Sequence, residues 1–427
     1  MAVTAIVGAN WGDEGKGKMT DVLAAQSSYV VRFQGGSNAG HTIINDYGKF
    51  ALSMLPSGVF YPEVTNVIGP GAALDGDSLL HELEQLMARG VPQPTLKVSD
   101  RAQVVLPVHR LLDALEEERL GNRSYGSTKR GIAPFYADKY AKLGVQVADL
   151  YDRNRLLERV GQLLEVKNVL LTHLYGHQPL EVMPIVEELL ELGERFLPYV
   201  CDTTTMLQQA YKEQQSILLE GQLGALRDPD HGIYPYSISS STLAGYAPVG
   251  GGLPAYALTD VLVVVKAYSS CVGAGPFISE IEGVEAEQLR LRGGDAGEFG
   301  VVTGRPRRVG WFDAVATRYG CMVQGATEIA LTNLDVLSYL DSIPVCVGYQ
   351  LKDGTVTEQF PVNAKLEGAT PVLRELPGWK CDISGARAFD ELPAEAQQYV
   401  SFIETEIGVK ISYLSIGPRR EQLMKLG

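Results

Sequence analysis

The segment WGDEGKGKMTD, residues 11–21, follows a short apolar run at residues 2–7. Glycines between a strand and a helix point backbone N–H groups at an anion, and the helix dipole adds attraction. The segment therefore predicts a phosphate-binding loop in which Lys16 and Lys18 neutralise phosphate charge. It is not the common G-x-x-x-x-G-K-[ST] loop, because Asp13 and Glu14 stand where an anion should bind. Asp13 has two possible roles: it binds Mg²⁺ carried by a nucleotide, or it accepts a proton.

Outward from this loop, β-branched runs alternate with longer helical patterns, which is typical of an α/β protein with a mostly parallel sheet. We predict helices at Ser78–Arg89, Leu106–Arg119, Asp152–Val166 and Val182–Tyr199. Long loops are expected at residues 247–254 and 292–308. No domain boundary is visible, so residues 1–427 are predicted to be a single domain. The predicted strands are TAIVGA (4–9), SYVVRF (28–33), TNVIG (65–69), QVVLP (103–107), NVLLTHL (168–174), SILLEG (216–221), DVLVVVKAY (260–268), EIALTNLDVL (328–337) and IPVCVGY (343–349).

The net charge of −14 over 427 residues argues against binding to nucleic acid or to an anionic membrane, since both need a basic surface. Five cysteines form no C-x-x-C pair, and an odd number favours a reduced, cytoplasmic chain. The strand-like run that starts at residue 2 differs from a secretory signal. No apolar run approaches the ~20 residues of a membrane span.

Four further segments contain candidate ligand-binding or catalytic residues. FQGGSNAGHT (33–42) allows close backbone approach to a ligand and ends near His41, for which an acid or electrophilic role is expected beside an anion loop. GSTKRGIAP (126–134) combines hydroxyls with basic residues and suits a monophosphate. TGRPRRVGW (303–311) has three arginines in four residues, which suits carboxylates or phosphates. IALTNLD (329–335) ends in Asp335, whose carboxylate could accept guanine N1–H and N2–H in two parallel bonds.

Together these segments resemble the adenylosuccinate synthetase family. The resemblance extends in order over nearly the whole chain. It implies one large α/β domain related to P-loop GTPases, homodimers, Mg²⁺ and the joining of IMP to L-aspartate with GTP. The matching segments are GANWGDEGKGK (8–18), GGSNAGHT (35–42), GSTKRGIAP (126–134), DHGIYPY (230–236), KAYSSCVGAGPF (266–277), TGRPRRVGW (303–311), LTNLDVL (331–337) and SIGPRR (415–420).

The resemblance also implies roles for individual residues. Asp13 is the base for the purine N1–H, and His41 and Lys16 stabilise the transferring phosphoryl group. Asp13 and Gly40 bind the metal. The GTP contacts are Gly12, Asp13, Glu14, Gly15, Lys16, Gly17, Lys18, Gly40, His41, Thr42, Arg307, Asn333, Leu334, Asp335, Ser415, Ile416 and Gly417. The IMP contacts are Asn38, Ala39, Thr128, Lys142, Gln222, Leu223, Ile238 and Arg305, with Lys142 reaching the partner subunit's site. The aspartate contacts are Val301, Val302, Thr303, Gly304, Arg305 and Arg307.

The chain departs from the family pattern at several of these positions. Leu223 stands where most members have a glutamine that touches the purine 6-position, and Ile238 replaces a threonine. Lys142 replaces an arginine. Asn333 replaces a lysine of the guanine-binding motif, so the sequence does not decide whether the nucleotide is GTP or ATP. Alternatives are therefore a paralogous ligase that uses another 6-oxopurine nucleotide such as GMP or dGMP, or another amine donor. A nucleotide-binding regulatory protein without ligase activity is a further alternative, although Asp13 and His41 argue against it.

Overall fold

The structure, a computed structural model, describes residues 3–294, 297–300 and 304–426. Within them the strands are β1 (Val3–Gly8), β2 (Tyr29–Arg32), β3 (His41–Asn45), β4 (Gly48–Leu52), β5 (Thr65–Ile68), β6 (Ala73–Leu74), β7 (Thr95–Ser99), β8 (Gln103–Val104), β9 (Val200–Cys201), β10 (Ile217–Gly224), β11 (Leu258–Lys266), β12 (Ser269–Cys271), β13 (Arg308–Gly310), β14 (Phe312–Asp313), β15 (Glu328–Thr332), β16 (Ser342–Gln350), β17 (Val356–Thr357), β18 (Thr370–Pro377), β19 (Ile411–Ser415) and β20 (Leu423–Lys425).

The α-helices of the described residues are α1 (Lys16–Ala24), α2 (Gly76–Ala88), α3 (Pro107–Leu120), α4 (Ile132–Ala141), α5 (Arg153–His173), α6 (Val182–Phe196), α7 (Thr203–Lys212), α8 (Ala247–Gly251), α9 (Gly283–Arg292), α10 (Ala314–Gln324), α11 (Asn363–Leu366) and α12 (Ala394–Ile407). No helix in this part of the chain is both long and apolar enough to cross a membrane.

The central sheet has ten strands among the described residues, in the order β20-β19-β15-β11-β1-β10-β2-β5-β7-β9. Every neighbouring pair from β19 to β9 is parallel, and β20 is an antiparallel edge strand. The prediction of a large, mostly parallel sheet flanked by helices is confirmed.

Both faces of this sheet are buried, as parallel sheets require. In β1, Ala5 and Val7 belong to the core on one face, whereas Ile6 packs on the other face with Met19 of α1. In β11, Val263 and Val264 alternate in the same way. The consecutive apolar residues that marked these segments as strands therefore fill two separate cores.

The predicted strand at residues 168–174 is wrong, because these residues lie in or directly after α5. The buried residues of α5 recur at helical spacing, as in Leu156, Val160, Leu163 and Lys167, and Leu171 continues this face. Val169 and Leu170 are exposed. A run of seven residues is too short to distinguish the buried face of a helix from a strand. For the same reason the predicted helix ended at residue 166, before this run.

Other elements also differ from the sequence prediction. The strand at residues 343–349 forms a separate sheet with β14, β17 and β18, and residues 103–107 form only the two-residue β8. The predicted loop at 247–254 contains the short helix α8. Strands β7 and β19 were not predicted, because polar residues interrupt the apolar pattern of both strands.

The strands that carry the motifs end at the same edge of the sheet, since they are parallel. The glycine loop follows β1, the GGSNAG segment follows β2, and Gln222 and Leu223 lie at the end of β10. Asn333 follows β15. Ligands of open α/β sheets bind outside the carboxyl ends of the strands, so this edge is the candidate site.

Candidate active site

Two cavities open at this edge. The first has a volume of about 460 Å³ and is lined by the glycine loop, His41 and Asp335. The second has a volume of about 560 Å³ and is lined by Ser127, Thr128 and Ile238. The two cavities meet, and the residues that line both are Asp13, Ala39, Gly40, Leu223, Gly300 and Arg307.

The glycine loop leads into α1 as the sequence predicts. Gly12 and Gly15 have φ values of 100° and 96°, which favour glycine, and Gly15 caps the helix. Asp13 also adopts a left-handed conformation, with φ 61°. A side chain on Gly17 would place its Cβ 2.7 Å from His41 Cβ. This close approach brings β3 and its histidine against the start of the helix.

Glu14 explains part of the unusual loop sequence. Its buried carboxylate accepts hydrogen bonds from the N–H groups of Asn10 (3.1 Å) and Gly12 (2.9 Å) and from Lys16 Nζ (2.6 Å). Gly8 leaves room for it, since a Cβ there would lie 2.4 Å from Glu14 Oε2. The Glu14 side chain therefore stabilises the loop from inside, and this predicted GTP contact lines neither cavity.

His41 is fixed by Glu220, a fully buried residue of β10. His41 Nδ1 lies 2.7 Å from Glu220 Oε1, and Ser57 N–H donates to Oε2 at 2.9 Å. Burial opposes ionisation of Glu220, but hydrogen bonds from His41 and Ser57 and the charge of Arg32 lower its pKa to about 2. Burial lowers the pKa of His41 despite this partner. Because Nδ1 faces Glu220, Nε2 is the ring nitrogen available to a ligand.

Asp13 faces Arg307 where the cavities meet. Arg307 Nε lies 3.1 Å from Asp13 Oδ2, and Arg307 Nη1 lies 2.8 Å from Glu298 Oε2. Burial opposes ionisation of Glu298, but the charges of Lys266 and Arg307 and a hydrogen bond from Tyr268 lower its pKa to about 2. The Asp13 side chain is 30% exposed, so it is open to a ligand on either side.

The far end of the first cavity suits a purine base. Asp335 Oδ1 is buried and has no hydrogen-bond partner among the described residues, and burial raises the pKa of this carboxyl. Lys18 Nζ donates to Ser415 Oγ (2.8 Å) and to the Gly417 carbonyl (2.7 Å), which ties the glycine loop to this end. Burial lowers the pKa of Lys18 to about 8. The predicted GTP contacts Leu334 and Ile416 are fully buried and line neither cavity.

The second cavity is bounded by the loop at residues 126–131. Asp113 of α3 orders this loop, because it accepts hydrogen bonds from Ser127 Oγ (2.7 Å) and Gly131 N–H (2.8 Å). Arg305 lies alongside, since a Cβ on Gly126 would be 3.8 Å from Arg305 Nη1. The Thr128 hydroxyl, which lines the cavity, and the Arg305 guanidinium are suitable groups for a phosphate monoester.

The structure places several predicted residues away from the cavities. Gln222 is buried beneath the GGSNAG segment, where its Nε2 donates to the carbonyls of Gly36 (3.0 Å) and Ser53 (3.1 Å). Lys142 is exposed at the end of α4 and lines neither cavity of its own chain. Val301, Val302 and Thr303 lie outside the described residues.

Comparisons with known proteins fit this geometry. A family model described as adenylosuccinate synthetase matches residues 5–424. The adenylosuccinate synthetase of Dehalococcoides mccartyi is 45% identical over 423 residues, which cover 99% of this chain and 99% of that protein. This chain belongs to the adenylosuccinate synthetase family.

Solved structures agree with the family assignment. The fully ligated adenylosuccinate synthetase of Plasmodium falciparum superposes with a TM-score of 0.92 at 33% identity, and the match covers 100% of both chains. The succinoaminodeoxyadenylate synthetase of cyanophage S-2L, bound to dGMP and dATP, gives a TM-score of 0.62 at 20% identity over 99% of this chain and 95% of that one. The second likeness shows the fold alone. The comparisons therefore favour an adenylosuccinate synthetase over the alternative functions.

Within the family, two departures of this chain fall on the second cavity. Leu223 lines both cavities and has a φ of 59°, a conformation that is unusual for a leucine. Ile238 lines the second cavity and packs against the small core around Phe135. Both residues were predicted from the sequence as site residues, whereas Glu220, Glu298 and Asp113 were not. A glutamate within the apolar run SILLEG was the available signal for Glu220.

Proposed function

We propose that this chain joins IMP and L-aspartate to form adenylosuccinate, with hydrolysis of GTP to GDP and phosphate. The observation that carries the proposal is the meeting of two cavities at Asp13. The first cavity is lined by the glycine loop and by Asp335, and the second is lined by Ser127 and Thr128. A triphosphate in the first cavity and a 6-oxopurine nucleotide in the second would bring the γ-phosphate and the purine 6-oxygen together there.

The reaction follows from these positions. Asp13 takes the proton from purine N1 as the 6-oxygen attacks the γ-phosphorus, and the bond from that phosphorus to the bridging oxygen of GDP breaks. The amine of aspartate then adds to C6, loses a proton and displaces phosphate. Phosphoryl transfer depends mainly on positioning and electrostatics. The transferring phosphoryl group would be positioned, and its charge stabilised, by the N–H groups of the glycine loop, by His41 Nε2 and by Lys16.

We propose that the ligands occupy the cavities as follows. Asp335 accepts hydrogen bonds from guanine N1–H and N2–H, because its buried Oδ1 lacks a donor. Asn38, Ala39 and Thr128 bind IMP. The loop at residues 301–307 binds the aspartate carboxylates through Arg305 and Arg307, and Arg307 also contacts the GTP phosphates.

A magnesium ion fits the donors at the boundary. Asp13 and Gly40 line both cavities and would provide a carboxylate and a carbonyl oxygen, the ligand types that Mg²⁺ prefers. No group of three His, Cys, Asp or Glu that could hold a metal occurs among the described residues, which is consistent with an ion held largely by nucleotide phosphates. Bound there, the ion would neutralise phosphate charge.

We also propose a cytoplasmic homodimer in which Lys142 reaches the IMP site of the partner subunit. The exposed position of Lys142 at the end of α4, outside both cavities of its own chain, supports this role. All five cysteines are unpaired, as expected in a reducing compartment.

The experiment is to mix purified protein with IMP, GTP, Mg²⁺ and L-aspartate. The ultraviolet absorbance change of adenylosuccinate formation and the release of phosphate are followed together. We expect both signals in a one-to-one ratio, and only when all four components are present. Phosphate release that is indifferent to IMP and aspartate would contradict the proposal. Activity only with GMP or dGMP in place of IMP would contradict it as well.

A further inference from the structure

Glu298 lies at the centre of a buried ionic network beside the first cavity. The residue is 1% exposed. Its Oε1 accepts hydrogen bonds from Lys266 Nζ at 2.8 Å and from the Tyr268 hydroxyl, and its Oε2 accepts one from Arg307 Nη1 at 2.8 Å. The Arg307 N–H also donates to the Glu298 carbonyl at 2.8 Å. Glu298 thus fixes both the backbone and the guanidinium of Arg307.

Arg307 has a second anionic partner, which is held less firmly. Its Nε lies 3.1 Å from Asp13 Oδ2, but this buried N–H has no partner with hydrogen-bond geometry among the described residues. A buried donor without a directed acceptor is costly, so an oxygen with better geometry would displace Asp13. Asp13 is also the more exposed of the two carboxylates. The contact with Asp13 is therefore the exchangeable one.

The charges of the network balance only while both carboxylates are present. Lys266 and Arg307 are the cations, and Glu298 and Asp13 are the anions. When Asp13 turns to a substrate or to a metal ion, Arg307 needs a new anion. The first cavity, which Arg307 lines, is the predicted place of the nucleotide phosphates.

The network also reaches the base end of this cavity. Asn333 Nδ2 lies 3.3 Å from the Tyr268 hydroxyl, which in turn donates to Glu298. Asn333 follows β15 directly and precedes Asp335 by two residues. A hydrogen-bonded chain therefore joins the base-binding turn to Arg307.

We propose that Glu298 is a positioning residue: it holds Arg307 at the boundary of the two cavities, so that the phosphates of an arriving nucleoside triphosphate replace Asp13 as the second partner of Arg307 and release Asp13. The inference rests on the proposed function, because it assumes that the first cavity takes a nucleoside triphosphate. It assigns no chemical step to Glu298 itself.

A double-mutant cycle tests whether Glu298 acts through Arg307. Glu298→Gln keeps the shape but puts an amide N–H against Lys266 or Arg307. The binding of guanosine 5′-(β,γ-imido)triphosphate with Mg²⁺ is measured by calorimetry for Glu298→Gln, Arg307→Ala, the double variant and the unmodified chain. We expect Glu298→Gln to weaken binding about tenfold in the unmodified chain but less than about twofold beside Arg307→Ala. Equal losses in both backgrounds, or no loss, would overturn the proposal.

The matched control is Asp138→Asn, which also removes a buried, paired carboxylate. Asp138 contacts His109 and Lys167 and lines neither cavity. Its effect on binding should be small and the same in both backgrounds. If Glu298→Gln does not fold, Tyr268→Phe replaces it in the cycle, since it removes one donor to Glu298 and leaves the charge. We expect a smaller loss, about threefold, that also disappears beside Arg307→Ala.

Failure of the inference and failure of the proposed function are distinguishable. If the unmodified chain makes adenylosuccinate and the cycle is additive, only the role of Glu298 is wrong. If the unmodified chain binds the analogue but makes no adenylosuccinate, the proposed reaction is wrong, and the cycle still decides how Arg307 is held. If the unmodified chain does not bind the analogue at all, both are wrong.

Discussion

Arg307 Nε lies 3.1 Å from Asp13 Oδ2 at the point where the two cavities of the site meet. This ion pair holds the Asp13 carboxylate near the boundary, although Arg307 Nε makes no directed hydrogen bond to it. A base in this position can reach a purine in one cavity and face a phosphate in the other.

Asp13→Asn should therefore abolish the chemistry and leave the fold intact. An amide cannot take the N1 proton, so we expect kcat to fall by roughly 10²–10⁴-fold, the usual range for loss of a general base. The ion pair with Arg307 is partly exposed, so the free energy of unfolding should change by no more than about 1 kcal/mol. Initial rates of adenylosuccinate formation and urea unfolding measure the two quantities. A variant that retains more than about a tenth of wild-type kcat would rule out this base.

Asp335→Ala should weaken GTP binding selectively. The buried Oδ1 lacks a donor, and the loss of charge-assisted hydrogen bonds to guanine costs about 1.5–3 kcal/mol, or roughly 10- to 150-fold in affinity. ATP has no N–H group at the corresponding ring nitrogen, so its binding should change little. Titrations of both nucleotides against both proteins give the comparison. An equal loss of affinity for GTP and ATP would mean that Asp335 does not distinguish guanine from adenine.

Leu223→Gln should improve the use of IMP. Leu223 lines both cavities. The family resemblance implies a glutamine at this position that touches the purine 6-position. A restored hydrogen bond contributes about 0.5–1.5 kcal/mol, so we expect kcat/KM for IMP to rise roughly 2- to 10-fold. Leu223→Met, which adds no hydrogen bond, is the control. Should both variants behave alike, the leucine would be a neutral replacement.

The buried carboxyl group of Asp313 makes the free energy of unfolding depend on pH. Its carboxylate caps α10, and the Tyr349 hydroxyl donates to both oxygens (2.9 and 2.8 Å). Burial raises its pKa from 3.8 to about 6 despite these hydrogen bonds. The folded state therefore binds the proton more tightly than the unfolded state. The contribution of this group is most favourable below the unfolded pKa and is lost as the pH rises through about 6.

Asp313→Asn keeps a capping oxygen and removes the buried charge. It should stabilise the protein by roughly 2 kcal/mol above neutral pH, and this gain should shrink as the pH falls toward about 4. Urea unfolding of both proteins at about pH 5 and about pH 8 tests the difference. A gain that is the same at both values would show that the carboxyl is not the titrating group.

The sequence predicted the features that follow from local backbone conformation and from the spacing of apolar residues. The glycines of the first loop had to lie between a strand and a helix, and the parallel strands had to bring His41, Asp335 and the arginines to one edge. These features follow from backbone conformation and from the period of apolar residues. The boundary of the second cavity was located through the hydroxyl and basic residues of the segment at 126–134.

The sequence could not predict contacts between residues far apart in the chain. Glu220 lies 179 positions from His41. Glu298 belongs to a loop, and its partners are Lys266, the last residue of β11, and Tyr268, which follows that strand. The inward position of the Glu14 side chain was also not predicted, because the sequence indicated a chemical role for Asp13 but contained no signal for the function of the Glu14 side chain. Only the folded loop shows that one acid binds backbone N–H groups and the other faces the cavities.

The most direct test of whether the purine 6-oxygen attacks the γ-phosphate is to follow the 6-oxygen of IMP. IMP labelled with ¹⁸O at this position is converted with GTP, Mg²⁺ and L-aspartate in unlabelled water, and the released phosphate is analysed by mass spectrometry. If the 6-oxygen attacks the γ-phosphate where the two cavities meet, each phosphate should carry one ¹⁸O atom. Unlabelled phosphate, formed alongside adenylosuccinate, would show that water attacked the γ-phosphate and that the 6-phosphoryl intermediate does not occur.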